Sequence, residues 1–218
     1  MHIIQPYAAM LDIKSREDGI ALLKKVEWIG RISHRSEDAQ TAESWERFIA
    51  AVVLGHGDFS IIEHASITVD AVVDRGITHE WVRHRLGAYT QESTRFVNYA
   101  KKGGLRFIQP PGVAGGDGSP WTAAVELCET AYYELLHAGY TPQLARCVLP
   151  NMLASRLIVT YNLRMWRHFF LMRTSKETHP QMREVTIPLL AEFQEKIPLL
   201  YDDIEPLAKQ AENLRKAR

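Results

Sequence analysis

The chain has 218 residues, 46% of them hydrophobic, enough to bury a sizeable core as one large domain or one intertwined subunit. Lys plus Arg equals Asp plus Glu at 26 each, so no global basic field recommends a nucleic acid as partner, and any anion site has to be local. Two cysteines, no signal peptide and no apolar run near the ~20 residues of a membrane span lead us to expect a soluble cytoplasmic protein without disulfides.

In chain order, residues 2–7 are expected to form an edge strand. Asp18 is placed to cap a helix in which Ile20, Leu22, Leu23, Val26 and Ile29 form an apolar stripe, followed by a polar break from Arg31 to Ser36. A second amphipathic helix is predicted over residues 43–54, ended by Gly55-His56-Gly57. His56, His64 and Glu63 lack the compact spacing of a zinc site, and no metal is expected. Over residues 66–73, Ile67, Val69, Ala71 and Val73 alternate with polar residues, which predicts a half-buried antiparallel strand.

The passage from Trp81 to Phe96 concentrates the polarity of the chain. Thr78 is expected to cap a short helix running through Trp81 to Arg85, with its cations in the last turn, where the helix dipole favours them. Within that helix Glu80 could pair with Arg83 or His84. Successive helical residues point ~100° apart, so Arg83, His84 and Arg85 would address different parts of a large ligand, or different ligands. After Gly87 the helix should stop. Gln91-Glu92-Ser93-Thr94 then reads as a loop of small polar groups leading to Arg95, a setting suited to a phosphate or a sugar.

Two short strands are predicted over residues 95–109, then a Gly/Pro-rich loop over residues 110–119. A long helix opens at Ser119-Pro120 and runs through His137, with Val125, Leu127, Cys128, Ala131 and Leu135 on its apolar face. Thr141-Pro142 starts another helix, carrying Arg146 and Cys147, the latter read as a buried neutral thiol. Residues 155–161 form a strand that feeds a helix from Asn162 to Arg173. On it Asn162, Trp166, Phe169 and Arg173 share one stripe, and Arg164 and His168 another. Asn162 and Arg173 lie ~16 Å apart along the axis, so they serve separate moieties. His179-Pro180 opens a last long helix that Pro188 should kink, and the tail after Pro206 reads as an exposed helix.

Arg83-His84-Arg85, seven residues, then Ser93-Thr94-Arg95 resembles the signature of the flavin-dependent thymidylate synthases, with Gln91-Glu92-Ser93-Thr94-Arg95 in a form common to that family. Arg31-x-Ser33 resembles the family's Arg-x-Ser, and residues 58–64 its His-x-Ser-x-x-Glu-His, with Asp58 where a His is usual. The resemblance covers roughly residues 30–190 of a single domain spanning 1–218. It implies reductive methylation of dUMP to dTMP, with methylenetetrahydrofolate as carbon donor, NADPH as reductant and FAD as bound cofactor. It also implies an α+β fold with a mixed, mainly antiparallel sheet and long flanking helices, and an intertwined homotetramer with shared active sites. No Gly-x-Gly-x-x-Gly stands between a strand and a helix, so the FAD site is expected to be non-Rossmann.

By the same resemblance, dUMP falls to Glu80, where the family commonly has Gln, and to Arg83, Gln91, Glu92, Ser93, Thr94, Arg95, Arg146 and Arg173. FAD falls to Ser60, Arg83, His84, Arg85, Gln91, Asn162, Arg164 and His168. Arg173 is the catalytic residue: always protonated, it cannot be a base, and it would stabilise charge developing on the uracil ring. Ser93 lacks an adjacent general base in the sequence and is read as a binding group rather than a nucleophile. Two other classes remain open: a nucleic-acid module using the Arg-rich segments with Trp81, Tyr89 and Trp166, and a non-catalytic flavin or nucleotide sensor.

Overall fold

The computed structural model describes residues 1–205, so the helix expected after Pro206 lies outside the described residues. Four strands, β1 (Tyr7–Met10), β2 (Ser66–Asp74), β3 (Ala88–Gln91) and β4 (Ala154–Asn162), form one sheet in the order β1-β2-β4-β3. The helices in chain order are α1 (Arg16–Arg31), α2 (Ser44–Phe48), α3 (Arg75–Trp81), α4 (Pro120–His137), α5 (Pro142–Ala145), α6 (Leu163–Arg173) and α7 (Pro180–Lys196). The class is therefore α+β with a small antiparallel sheet. The antiparallel pairing of β2 with β4 is fixed at both ends, by Leu163 N–H on the Ala65 carbonyl and Arg75 N–H on that of Leu153. A parallel bridge of Ile3 with Phe107 lies outside the named strands.

The edge strand begins at Tyr7 rather than His2. Residue 3 instead makes the bridge to Phe107, which also bridges Leu153 and supplies the only strand-like pairing of residues 95–109, where two strands are expected. That segment is a turn, a 3-10 helix at Tyr99–Lys101 and a reversal at Gly103 and Gly104, both at positive φ. β2 alternates only at its start. From Val69 on it is buried on both faces, Asp70 included.

By compactness the chain divides into two units. The first comprises residues 1–7, 71–85 and 89–158, and the second residues 8–70, 86–88 and 159 onward. In the first unit Tyr99, Leu105, Phe107, Val125, Tyr132, Ala145 and Leu153 form a core under α4. Ser119 caps α4 by accepting from Thr122 N–H at 3.1 Å, with Pro120 in the first turn. The face of α4 differs from expectation: Thr122, Val125 and Tyr132 are buried, whereas Leu127 is 71% exposed. Leu127 is two residues past Val125, about 200° round the helix, so it cannot share that face. Cys147 is exposed rather than buried, because it sits on a 3-10 turn, Arg146–Val148, after α5 ends at Ala145.

In the second unit, α1 is capped by Ser15 and not by Asp18. Ser15 Oγ accepts from Asp18 N–H at 3.3 Å while Asp18 accepts from Ser15 N–H at 3.0 Å, a capping box. The amides of Lys14 and Ser15 hold the Asp18 carboxyl below its ordinary range. At the far end of α1, Arg31 pairs with the buried Glu27 one turn earlier at 2.7 Å. Helix α2 runs into a π-helical stretch, Ile49–Gly55, so the expected second helix is present with a wider last half. Trp166 on α6 is fully buried among Tyr161, Phe169, Phe170 and Phe193, with ring centroids 4.6 to 5.7 Å away, and its indole N–H reaches the Ile67 carbonyl at 3.0 Å. Gly19 on α1 meets α7 with no room between. A Cβ there would lie 1.8 Å from the Lys196 carbonyl oxygen.

Candidate functional site

In the first unit the site grows from α3. Asp74, the last residue of β2, caps α3 by accepting from Ile77 N–H at 2.9 Å. Thr78, expected as the cap, is inside the helix and donates its hydroxyl to the Arg75 carbonyl at 2.9 Å. The helix therefore starts and stops earlier than its sequence suggests, and Arg83, His84 and Arg85 follow it rather than form its last turn. Arg83 N–H still bonds the Glu80 carbonyl at 3.3 Å and His84 N–H that of Trp81 at 3.1 Å, and Tyr89 OH donates to the carbonyls of Trp81 and His84. This pinned turn leaves Arg83 and Arg85 exposed on either side of His84, which is 6% exposed.

Gly87 is required at the next bend. A Cβ there would fall 2.2 Å from the Tyr161 ring. Gln91 lies in β3, not in a loop, and its amide donates to Thr78 Oγ1 at 3.0 Å and Ser155 Oγ at 3.1 Å. Its donor side is committed to the fold, leaving its carbonyl oxygen for a ligand. Glu92 accepts from Tyr99 OH at 2.8 Å, with Arg106 3.9 Å from its other oxygen. Burial, and then the Glu92 charge, raise the Tyr99 phenol above its usual range, so it stays a donor.

Ser93, Thr94 and Arg95 make a tight turn in which the Ser93 carbonyl accepts from Phe96 N–H at 3.2 Å and Val97 N–H at 3.0 Å. Arg95 lies 5.1 Å over the Phe96 ring and donates to Gln143 at 3.1 Å, three residues before the exposed Arg146. The structure thus brings the Ser93-to-Arg95 turn to α5, which leads directly into the 3-10 turn that carries Arg146. Glu80 is half-buried on α3, close in sequence to the Arg83 turn.

In the second unit, Asn162 caps α6 by accepting from Met165 N–H at 2.8 Å. That cap uses its oxygen and not its amide nitrogen. Ser60 is exposed at the start of the 3-10 helix Ile61–His64, whose Glu63 accepts from Arg164 Nη1 at 2.6 Å. That pair joins the Ser60 loop to the first turn of α6, where Arg164 is exposed, as is His168 one turn further on. Arg173 closes the other end of α6, half-buried, with its carbonyl accepting from Thr186 Oγ1 of α7 at 2.8 Å. His179 caps α7, its Nδ1 accepting from Gln181 N–H at 3.3 Å.

Sequence reasoning misses Arg167. Its guanidinium grips Asp203 through two nitrogens at 2.8 and 2.6 Å, donates to the Leu200 carbonyl and lies 5.4 Å over the Phe59 ring. Asp203 is 36 residues away and no local spacing signals it. The hydrogen bonds from Arg167 hold the Asp203 carboxyl below its ordinary range. The same unit has a cavity of about 630 Å³ bordered by Arg31, His34, Arg47, Phe48, His56 and Asp58. Among the described residues no group of three His, Cys, Asp or Glu could hold a metal, and no helix is long and apolar enough to cross a membrane.

Residues 20–199 match the family described as thymidylate synthase complementing protein. A flavin-dependent thymidylate synthase from Mycobacterium sp. (strain JLS) is 34% identical over 224 residues, covering 90% of this chain and 85% of the relative. One from Pyrococcus furiosus is 31% identical over 200 residues, covering 87% and 79%. Thymidylate synthase X from Helicobacter pylori, solved with FAD and dUMP, superposes with a TM-score of 0.73 at 16% identity over 91% of this chain and 98% of that one. The UMP/dUMP methylase PolB from Streptomyces cacaoi, bound with 5-Br dUMP, gives 0.73 at 22% identity over 93% and 96%.

Proposed function

The chain belongs to the thymidylate synthase complementing protein family, that of the flavin-dependent thymidylate synthases, and from that premise we propose that its whole length works as one domain converting dUMP to dTMP. The observation that carries this reading is the match over residues 20–199, which takes in every candidate site residue. FAD is the cofactor, methylenetetrahydrofolate the carbon donor and NADPH the reductant, and the protein works in the cytoplasm as a homotetramer.

Each unit holds residues that fit part of an anionic dinucleotide. Arg83 and Arg85 are exposed beside a pinned turn, and Arg164 and His168 share an exposed face of α6 with the amide of Asn162 and the Ser60 hydroxyl nearby in sequence or by ion pair. This is a non-Rossmann arrangement, since its cations come from turns and a helix face, not from a glycine-rich strand-to-helix turn. When bound, FAD supplies the hydride that reduces the transferred carbon. The chain's own part is binding and electrostatics. Arg95, Arg146 and the Ser93-Thr94 turn hold the dUMP phosphate, with Glu80, Arg83, Gln91 and Glu92 orienting the nucleoside. Arg173 is the group that would stabilise charge on the N3–C4=O edge of the uracil ring. The cavity beside Asp58 has the size of a small-molecule site and is offered to the folate. Leu86, Leu127 and Leu171, 77%, 71% and 56% exposed, are apolar surface that subunit contacts would cover.

The test is the visible spectrum of the purified protein titrated with dUMP. A flavin band that shifts with dUMP, together with dTMP formation from dUMP, methylenetetrahydrofolate and NADPH, is the expected outcome. A protein that takes up no FAD and gives no response to dUMP would overturn the reading. Ser93→Ala should weaken dUMP binding while keeping turnover at saturation; loss of turnover with unchanged dUMP affinity would make Ser93 a nucleophile instead.

A further inference from the structure

The first unit holds a second concavity, of about 410 Å³, bordered by Glu92, Phe96, Asn98, Lys101, Lys102 and Arg106 among others. Three of these side chains are cations and one is a carboxylate. The carboxylate is already engaged by Tyr99 OH at 2.8 Å and by Arg106 at 3.9 Å, so Lys101 and Lys102, both exposed, are the cations left facing a ligand. The loop that carries them is built rather than slack. Gly104 N–H closes it onto the Tyr99 carbonyl at 2.9 Å, and Leu105 N–H is held by Tyr133 OH at 3.2 Å.

Two further features narrow the ligand. Asn98 borders the pocket, and its side-chain amide can pair with a sugar hydroxyl or an exocyclic amine. Phe96, 76% exposed, carries Arg95 over one face of its ring and leaves the other face for a base to stack on. A dianionic phosphomonoester for the lysines, a hydroxyl or amine for Asn98 and a flat base for Phe96 are together a nucleotide.

We infer that this pocket binds the adenosine end of NADPH, with Lys101 and Lys102 taking its 2′-phosphate, Asn98 a ribose hydroxyl or the adenine amine, and Phe96 the adenine ring. The inference rests on the reading of the chain as a flavin-dependent thymidylate synthase and adds to it the group that selects the reductant. dUMP is not the occupant, because its phosphate is assigned to Arg95 and Arg146, neither of which borders this pocket. Glu92 borders the pocket and also belongs to the proposed dUMP set, so the two nucleotides would bind side by side.

The experiment compares the FAD-loaded full chain with its K101A/K102A and K101R/K102R variants. Calorimetry with adenosine 2′-monophosphate and adenosine 5′-monophosphate as probes reads the pocket directly. The KM for NADPH and for NADH reads its effect on the reaction. Removing two charged hydrogen-bond donors from a phosphate should weaken adenosine 2′-monophosphate and raise the KM for NADPH by about tenfold or more. The KM for NADH should stay within about twofold, and K101R/K102R should retain most of the affinity. The inference is overturned if the alanine variant binds adenosine 2′-monophosphate as the parent does. It is equally overturned if the 5′-monophosphate is preferred and the two KM values move together. Absence of any dUMP-induced flavin shift in the parent would count against the enzyme reading, and the calorimetric result would still decide the phosphate site.

Discussion

Gly87 has no space for a side chain, and its substitution separates packing from chemistry. Gly87→Ala puts a carbon 2.2 Å from the Tyr161 ring, which must tilt against Trp166 and Phe169, its partners at 4.6 and 5.9 Å. Overpacking of this kind costs about 1–3 kcal/mol, to be read as a lower urea midpoint with an unchanged slope. Arg173→Ala should act oppositely: turnover falls by about 10²–10³ if the guanidinium stabilises charge in the transition state, while bound flavin and urea midpoint hold. The residue identities of the Arg83-to-Arg95 passage were legible in the sequence because spacing along a chain is conserved by any fold. Their surroundings were not. Thr78 and Asp74 are both competent caps, and which one wins depends on where β2 ends, a fact of sheet pairing. Gln91 reads as a ligand, yet half of its hydrogen-bonding capacity goes to Thr78 and to Ser155, 64 residues away.

Among the elements, α6 carries two duties on one side chain. Asn162 caps the helix through its carbonyl oxygen, so removing the cap and removing the amide donor are different experiments. Asn162→Asp keeps an acceptor for Met165 N–H and should leave the melting temperature in place while flavin retention drops. Asn162→Ala should lose both, with about 1 kcal/mol of stability gone. One turn further, Arg167 ties α6 to Asp203. Asp203→Asn leaves a nearly buried guanidinium with a weakened partner and should cost about 1 kcal/mol at neutral pH, below the full value of a buried charged hydrogen bond because Asp203 itself is 53% exposed. The Asp203 carboxyl titrates lower in the folded chain than in the unfolded one. Its stabilisation is therefore complete above the unfolded value, near pH 4, and is lost as pH falls through the folded value. Chemical denaturation of parent and variant should differ at pH 7 and converge at lower pH than the ordinary carboxylate range. The ends of elements were read to within a few residues wherever Pro or Ser marked them, as at Ser119-Pro120 and His179-Pro180. Segment 95–109 misled because aromatic and β-branched residues there serve the core under α4 without pairing into strands.

For the whole molecule, equal numbers of acidic and basic groups put the isoelectric point at about 7.1, so solubility at low salt should be lowest near neutral pH and recover above pH 8. The homotetramer reading predicts a solution mass four times that of one chain. It also predicts that mixing inactive Arg95→Ala and Arg173→Ala chains after gentle dissociation restores part of the activity, because some sites then draw both intact arginines from different chains. A mass of one chain, or no recovery on mixing, would remove the shared-site part of the proposal. The contact of Gly19 with the Lys196 carbonyl bears on heredity as well as on packing. Every amino-acid replacement of a glycine adds a carbon, so codon 19 has no conservative missense change, and a screen for heat-sensitive alleles of this gene should return it repeatedly.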